Sequence, residues 1–123
     1  MLNVIDNKLF VEDVSFEYLA GVHGTPCYIY SKAALVNEFL DYQDAFKGYS
    51  KTTICYSVKA NSNLSILKIF NSLGSGFDIV SEGELDRIIK IGADPKKVVF
   101  SGVAKSDSEI AKAIEFGICF FNV

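Results

Sequence analysis

A lysine directly after a strand-like run is the first candidate for chemistry in this sequence. Lys59 follows Thr53 to Val58, a run of mostly apolar or small residues. A lysine beside such a run loses hydration, which disfavours its ammonium form and frees the amine as a nucleophile. Such an amine forms Schiff bases with carbonyl compounds. The alternative is that Lys59 is simply the first solvent-exposed residue after a strand.

An aspartate in the next apolar run is the second candidate. Asp78 lies within Phe77 to Val80, and a carboxylate is costly to bury without a partner. We therefore expect Asp78 to be linked to Lys59 or to a polar group of a cofactor. The alternative is a partly exposed acid at the end of a strand.

Four apolar runs of similar spacing must position these residues. Their starts lie 21 to 24 residues apart, and they are predicted as strands: Thr53 to Val58, Phe77 to Val80, Val98 to Ser101 and Cys119 to Val123. Because they are apolar on both faces, they are typical of a parallel sheet covered by helices. Repeated βα units this short predict a doubly wound sheet or a (β/α)8 barrel. In a barrel, reactive residues lie at the carboxyl ends of the strands, where Lys59 is placed.

The helices between these strands have recognisable starts and stops. Two S-x-x-E capping boxes predict helix starts, at Ser81 with Glu84 and at Ser106 with Glu109. The predicted stops are glycines able to turn left-handed, the second followed by a proline: Gly74, Gly92 with Pro95, and Gly117. We assign Ser81 and Glu84 to capping, not to catalysis.

The first fifty residues follow a different pattern. Residues 9 to 16 predict a β-hairpin or bent strand, and a glycine-rich turn follows from Gly21 to Pro26. Cys27 to Tyr30 is predicted as a strand and Lys32 to Phe46 as a helix capped by Ser31. We place a module boundary near Gly24.

Composition narrows the function classes. The 123 residues are 50% hydrophobic and carry a net charge of -3 without a basic stripe, so we expect a small-molecule partner and neither nucleic acid nor membrane. The cysteines, Cys27, Cys55 and Cys119, read as buried thiols in a reducing compartment, with no metal-site spacing. No leader or membrane-spanning run is present in the sequence, which favours a cytoplasmic protein.

Three strings carry a resemblance to a known family. They are YSVKANSN at 56 to 63, GFDIVSEGEL at 76 to 85 and VVFSGVAKSDSEI at 98 to 110, and HGTPCYIY precedes them. In this order and spacing they resemble the barrel of the diaminopimelate, ornithine and arginine decarboxylases, the fold-type III pyridoxal-phosphate enzymes. The resemblance is greatest to the diaminopimelate decarboxylases.

The resemblance implies a fold, a cofactor and a reaction. The fold would be the first βα units of a partial (β/α)8 TIM barrel of the alanine racemase-like type. Lys59 would carry pyridoxal 5'-phosphate as a Schiff base, with Ser57 and Asp78 approaching the cofactor or its lysine. Residues 24 to 123 would be the start of the barrel, and residues 1 to 23 would pair with a carboxy-terminal β-domain. The full-length enzyme would be a homodimer that decarboxylates meso-2,6-diaminopimelate to L-lysine.

Several alternatives and expectations accompany this hypothesis. The enzyme could instead be an ornithine, arginine or carboxynorspermidine decarboxylase or racemase-like, and the chain could be a non-catalytic interaction protein of the same fold. We expect a fragment that is inactive or very weakly active, because in the enzymes of this family the phosphate-binding loop and the substrate-binding residues lie later in the chain. We place His23 in a loop and Lys105 in a solvated loop.

Overall fold

The computed structural model describes residues 2–123, which form two separate sheets. The first is a small antiparallel sheet of β1 (Leu2–Ile5), β2 (Lys8–Val11) and β3 (Val14–Ser15), in the order β1-β2-β3. Asp6 and Asn7 both have positive φ, 49° and 60°, as a two-residue hairpin turn requires. The hairpin predicted over residues 9 to 16 is confirmed by the antiparallel pair of β2 and β3, and β1 is an additional strand.

A short helix joins this sheet to the rest of the chain. Helix α1 (Phe16–His23) begins after Ser15, whose side chain accepts a hydrogen bond from the Tyr18 N–H, and ends at Gly24 with φ 76°. The sequence predicted a glycine-rich turn here, which is wrong for the part before Gly24. Gly21 lies inside α1, and His23 is its last residue rather than a loop residue.

The predicted strand at Cys27 to Tyr30 is also wrong. Among residues 2–123, these residues have no strand partner, and the side chain of Tyr28 is 93% exposed. An apolar run becomes a strand only when a neighbouring strand satisfies its backbone groups. The second sheet does not extend to this segment, so the run stays irregular.

The second sheet contains the four strands that the sequence predicted; three are shorter than predicted, and the second is shifted by one residue toward the amino terminus. Its strands are β4 (Cys55–Ser57), β5 (Gly76–Ile79), β6 (Val98–Phe100) and β7 (Phe120–Phe121). Neighbours pair in parallel, and the order β4-β5-β6-β7 is the order along the chain.

Four longer helices accompany this sheet: α2 (Lys32–Phe46), α3 (Leu64–Ser72), α4 (Glu82–Lys90) and α5 (Asp107–Phe116). Their starts are capped by the side chains of Ser31, Asn63, Ser81 and Ser106. The capping box at Ser106 and Glu109 is complete, whereas the Glu84 carboxylate accepts from the Val80 N–H rather than from Ser81. The three predicted glycine stops all have φ between 71° and 83°.

The hydrophobic core lies on one face of the parallel sheet. Val58, Phe77, Ile79, Val98 and Phe100 are fully buried together with residues of helices α2 to α5. Because side chains alternate along a strand, the residues between them face the opposite side. On that side the residues are exposed or half-buried: Cys55, Ser57, Asp78, Val99 and Phe120. No helix within residues 2–123 has the length and apolarity to cross a bilayer.

One acidic side chain connects the two parts of the chain. Glu12, at φ 52°, accepts hydrogen bonds at Oε1 from the Ser31 hydroxyl (2.6 Å) and the Ala33 N–H (2.8 Å). These bonds hold the pKa of Glu12 below its ordinary value. The turn between β2 and β3 is thereby joined to the first turn of α2.

Candidate active site

Lys59 lies where the sequence predicted, just beyond the carboxyl end of β4. The chain forms one 3-10 turn there, Val58–Ala60, in which Val58 is fully buried and Lys59 is exposed. The expected loss of hydration at Lys59 is therefore wrong for this chain. The turn directs the Val58 side chain into the core, and the Lys59 side chain is exposed to solvent.

Asp78 lies on β5, on the face away from the core. Its neighbours Phe77 and Ile79 are fully buried against the helices, so alternation places Asp78 on the open face, where it is half-buried. In the parallel register its Cα is level with those of Ser57 and Val99.

Both carboxylate oxygens of Asp78 have a hydroxyl neighbour. The Ser101 hydroxyl donates to Oδ1 at 2.5 Å, and the Ser57 hydroxyl donates to Oδ2 at 3.4 Å. Within residues 2–123, no hydrogen bond or ion pair joins Asp78 to Lys59, so the first of its two expected links is not formed. We call Ser57, Asp78 and Ser101 the carboxylate cluster.

Ser101 is a contact that the sequence analysis did not identify. It was predicted only as the last residue of a strand, yet its N–H donates to the Ile79 carbonyl at 2.8 Å and its hydroxyl reaches Asp78. The signal was present in the pattern: Ser101 follows Val99 by two residues, which places both on the same face of the sheet as Asp78.

Cys55 lies on the same face at the other end of its short strand. Its half-burial raises the pKa of the thiol above the ordinary value, and the negative charge of Asp78 raises it further. Since the thiolate is the reactive form, Cys55 is poorly suited as a nucleophile. The prediction of buried cysteines is wrong for the other two, because Cys27 and Cys119 are exposed.

The Lys105 side chain is held by more contacts than a lysine in a solvated loop usually makes. Its side chain is half-buried, and Nζ donates to the carbonyl oxygens of Gly102 (2.5 Å) and Asn122 (2.7 Å). Nζ also lies 5.4 Å from the centroid of the Phe100 ring. Lys105 therefore lies in a loop, as predicted, but its side chain is only partly exposed and connects the loop after β6 to the residue after β7.

An exposed lysine and a polar cluster thus lie at one edge of the sheet. Lys59 and the carboxylate cluster come from β4, β5, β6 and the segments that follow them. The carboxyl ends of parallel strands are where barrel enzymes carry their reactive groups. An amine that has no ion-pair partner among residues 2–123 is free to react with a carbonyl compound.

Comparison with known proteins gives a consistent family. Residues 32–123 match the family described as pyridoxal-dependent decarboxylase, pyridoxal binding domain. The diaminopimelate decarboxylase of Neisseria meningitidis serogroup A is 53% identical over 115 residues, which are 94% of this chain and 28% of that protein. The chain thus spans little more than a quarter of that relative.

Solved structures of similar proteins share the fold. Diaminopimelate decarboxylase from M. jannaschii, in complex with L-lysine, superposes with a TM-score of 0.95 at 34% identity, over 100% of this chain and 30% of that one. The Helicobacter pylori enzyme complexed with L-lysine gives a TM-score of 0.83 at 49% identity, over 88% of this chain and 27% of that one. The predicted fold class, the first βα units of a fold-type III barrel, is confirmed.

Proposed function

Because the chain belongs to the pyridoxal-dependent decarboxylase family through its pyridoxal binding domain, we propose that Lys59 holds pyridoxal 5'-phosphate in a protein that decarboxylates meso-2,6-diaminopimelate to L-lysine. The observation that carries the proposal is the position of Lys59, exposed in the turn that follows β4, two residues after Ser57 of the carboxylate cluster. The substrate class is supported by the identity to diaminopimelate decarboxylases and by two relatives crystallised with L-lysine.

The side chains present fit this cofactor chemically. Covalent attachment needs a lysine amine that is accessible to an aldehyde, and Lys59 is exposed. The polar substituents of the pyridine ring need hydrogen-bonding groups, and the carboxylate cluster offers two hydroxyls and a carboxylate on the open face. When bound, pyridoxal phosphate supplies a sink for the electron pair left when carbon dioxide departs from an amino acid.

The residues of this chain would contribute attachment and orientation. Lys59 would hold the cofactor by condensation of its amine with the aldehyde and loss of water, which would fix one end of the cofactor. Asp78 accepts hydrogen bonds from Ser57 and Ser101, and these hold its carboxylate at a set angle on the open face. A fixed carboxylate can hold a polar ring group, or the proton on it, in one position.

The activity proposed belongs to the full-length protein. Residues 2–123 provide the attachment point, and the phosphate and substrate contacts would come from other parts of a protein of the relatives' length. We expect this chain alone to have little or no decarboxylase activity, because attachment without orientation loses most of the rate enhancement.

We further propose that the full-length protein is a cytoplasmic homodimer. Within residues 2–123, the outer edges of β4 and β7 pair with no further strand and one face of the sheet is open, which leaves these surfaces available for contacts with another part of the protein or another subunit.

The test is to locate the cofactor on the chain. Limiting pyridoxal phosphate is added, the mixture is reduced with borohydride, and the adducts are mapped by peptide mass spectrometry. We expect most of the adduct on Lys59, ahead of the ten other lysines. Lys59→Arg keeps the charge and should lose this adduct, whereas Lys68→Arg, at an exposed position on α3, should keep it.

Adducts spread evenly over the lysines of this chain would mean that it does not form the site alone, and an even spread in the full-length protein as well would contradict the proposed site. The substrate is tested separately on the full-length protein, by comparing carbon dioxide release from meso-diaminopimelate, ornithine and arginine. Release from diaminopimelate alone supports the proposed reaction, release from another amino acid selects a different decarboxylase, and no release from any of the three favours a non-catalytic relative.

A further inference from the structure

Lys105 forms a bridge between two loops at the carboxyl edge of the sheet. Its Nζ donates to the carbonyl oxygens of Gly102 and Asn122, and the Asn122 N–H donates to the Phe100 carbonyl at 2.9 Å. Hydrogen bonds from a charged donor are about twice as strong as neutral ones. The side chain is half-buried and packs beside the Phe100 ring, so its position is restricted.

A short covalent path leads from this bridge to the carboxylate cluster. Gly102 directly follows Ser101 and has φ 95°, a conformation that a residue with a side chain rarely adopts. The carbonyl that Lys105 holds belongs to the peptide between Gly102 and Val103, so the bridge restrains the chain one residue beyond Ser101. Ser101 in turn donates its hydroxyl to Asp78.

A similar contact at the opposite end of the sheet lacks such a path. Lys97, also half-buried, donates from Nζ to the Gly74 carbonyl at 3.1 Å. Gly74 follows helix α3 and leads into the amino end of β5, away from Lys59. Lys97 therefore provides a matched control for the loss of one lysine and one contact with a loop carbonyl.

We propose that Lys105 is a positioning residue for the cofactor site: by holding Gly102 and Asn122 it keeps the Ser101 hydroxyl on Asp78, next to Lys59. The inference rests on the proposed function of Lys59 and extends it to a residue outside the carboxylate cluster. Without the Lys105 ammonium, the loop after β6 samples other conformations and Ser101 leaves Asp78 for part of the time. Asp78 then orients a bound ring less well.

The experiment compares four chains: wild type, Lys105→Met, Lys105→Arg and Lys97→Met. Methionine keeps an apolar stem beside Phe100 and removes the donors, while arginine keeps a charged donor. The readout is the absolute rate of borohydride-trapped adduct at Lys59, because removing any lysine changes the share of label on the others. Thermal unfolding is recorded for each chain, so that rates are compared only between folded proteins.

We expect the Lys59 rate to fall about fivefold in Lys105→Met, the size expected for coupling through a hydrogen-bonded network. Lys97→Met should match wild type, and Lys105→Arg should recover most of the loss. Equal Lys59 rates in Lys105→Met and Lys97→Met would overturn the inference, whether both rates match wild type or both fall.

A second readout separates this inference from the proposed function. Amide hydrogen exchange without cofactor should be faster at Ser101 and Asn122 in Lys105→Met than in wild type or Lys97→Met, since both amides donate across the sheet edge. If wild type shows no preference for Lys59, this chain does not form the proposed site alone, and exchange alone decides whether Lys105 positions the loop. Unchanged exchange at both amides would overturn the positioning role.

Discussion

At the amino end of the parallel sheet, polar side chains donate to backbone carbonyls, whereas at the carboxyl end they also contact one another. Lys96, Lys97 and Ser75 bond to the carbonyls of Gly117, Gly74 and Gly76 respectively. At the carboxyl end, Ser57 and Ser101 converge on the carboxylate of Asp78. The first arrangement satisfies groups that the helices and strands leave unpaired, which stabilises the fold. The second concentrates a charge on an open face, which is typical of a functional site.

The largest effect is expected from Gly76→Ala at the amino end. A Cβ at Gly76 would lie 2.6 Å from the Cys55 Sγ and 2.6 Å from the Lys97 carbonyl oxygen, and the backbone cannot easily yield. We expect the free energy of unfolding to fall by about 3 kcal/mol, measured by urea denaturation. Gly83→Ala is the control, because nothing lies within 4 Å of its added Cβ. A Gly76→Ala chain as stable as wild type would mean that β4 and β5 separate easily at this end.

A smaller effect is expected from Gly102→Ala at the carboxyl end. Here the nearest atom to an added Cβ is the Val80 Cβ at 3.7 Å, so space is available, and the change is opposed by the positive φ of 95°. We expect a loss of about 1 kcal/mol, the usual order for a left-handed residue with a side chain. If Gly102→Ala costs as much as Gly76→Ala in the same denaturation experiment, the loop after β6 is packed as tightly as the amino end of β5.

The smallest effect is expected in the pH dependence of Cys55 alkylation. Its pKa is raised, so at any given pH below that value less thiolate is present than for an ordinary cysteine. Iodoacetamide should therefore modify Cys55 at higher pH than it modifies an ordinary cysteine in an unstructured peptide, as followed by peptide mass spectrometry. Asp78→Asn removes one of the causes that raise the pKa and should shift the Cys55 profile to lower pH. Ser101→Ala, which keeps the charge of Asp78, should shift it less, and an equal shift in both would show that the charge is not the cause.

Local patterns in the sequence predicted most of the second sheet and its helices. The four apolar runs, the serine caps and the glycine stops each depend on a few neighbouring residues, and the structure contains all of them. The short helix α1 was missed because the glycine at position 21 lies inside it. Cys27 to Tyr30 was predicted as a strand because its residue types are right, but strand formation also needs a neighbour.

The candidate site was predictable in its location but not in its contacts. Lys59, Ser57 and Asp78 lie at the predicted edge, and their roles stay predictions. The exposure of Lys59 depends on the 3-10 turn that buries Val58 in its place, and the sequence carries no clear signal for such a turn. The Ser101 to Asp78 bond depends on strand register, which joins residues 23 positions apart. Such a contact follows from pairing between strands and not from any local string.

The strand order of the parallel sheet has a consequence for synthesis on the ribosome. Each strand pairs with the one made just before it, so every new βα unit finds its partner already in place when it leaves the ribosome. Paired residues of neighbouring strands lie 21 positions apart in sequence, so each pairing closes only a short loop, which favours its rapid formation. The sheet can therefore grow one unit at a time, and Lys59 and the carboxylate cluster are synthesised before helix α5.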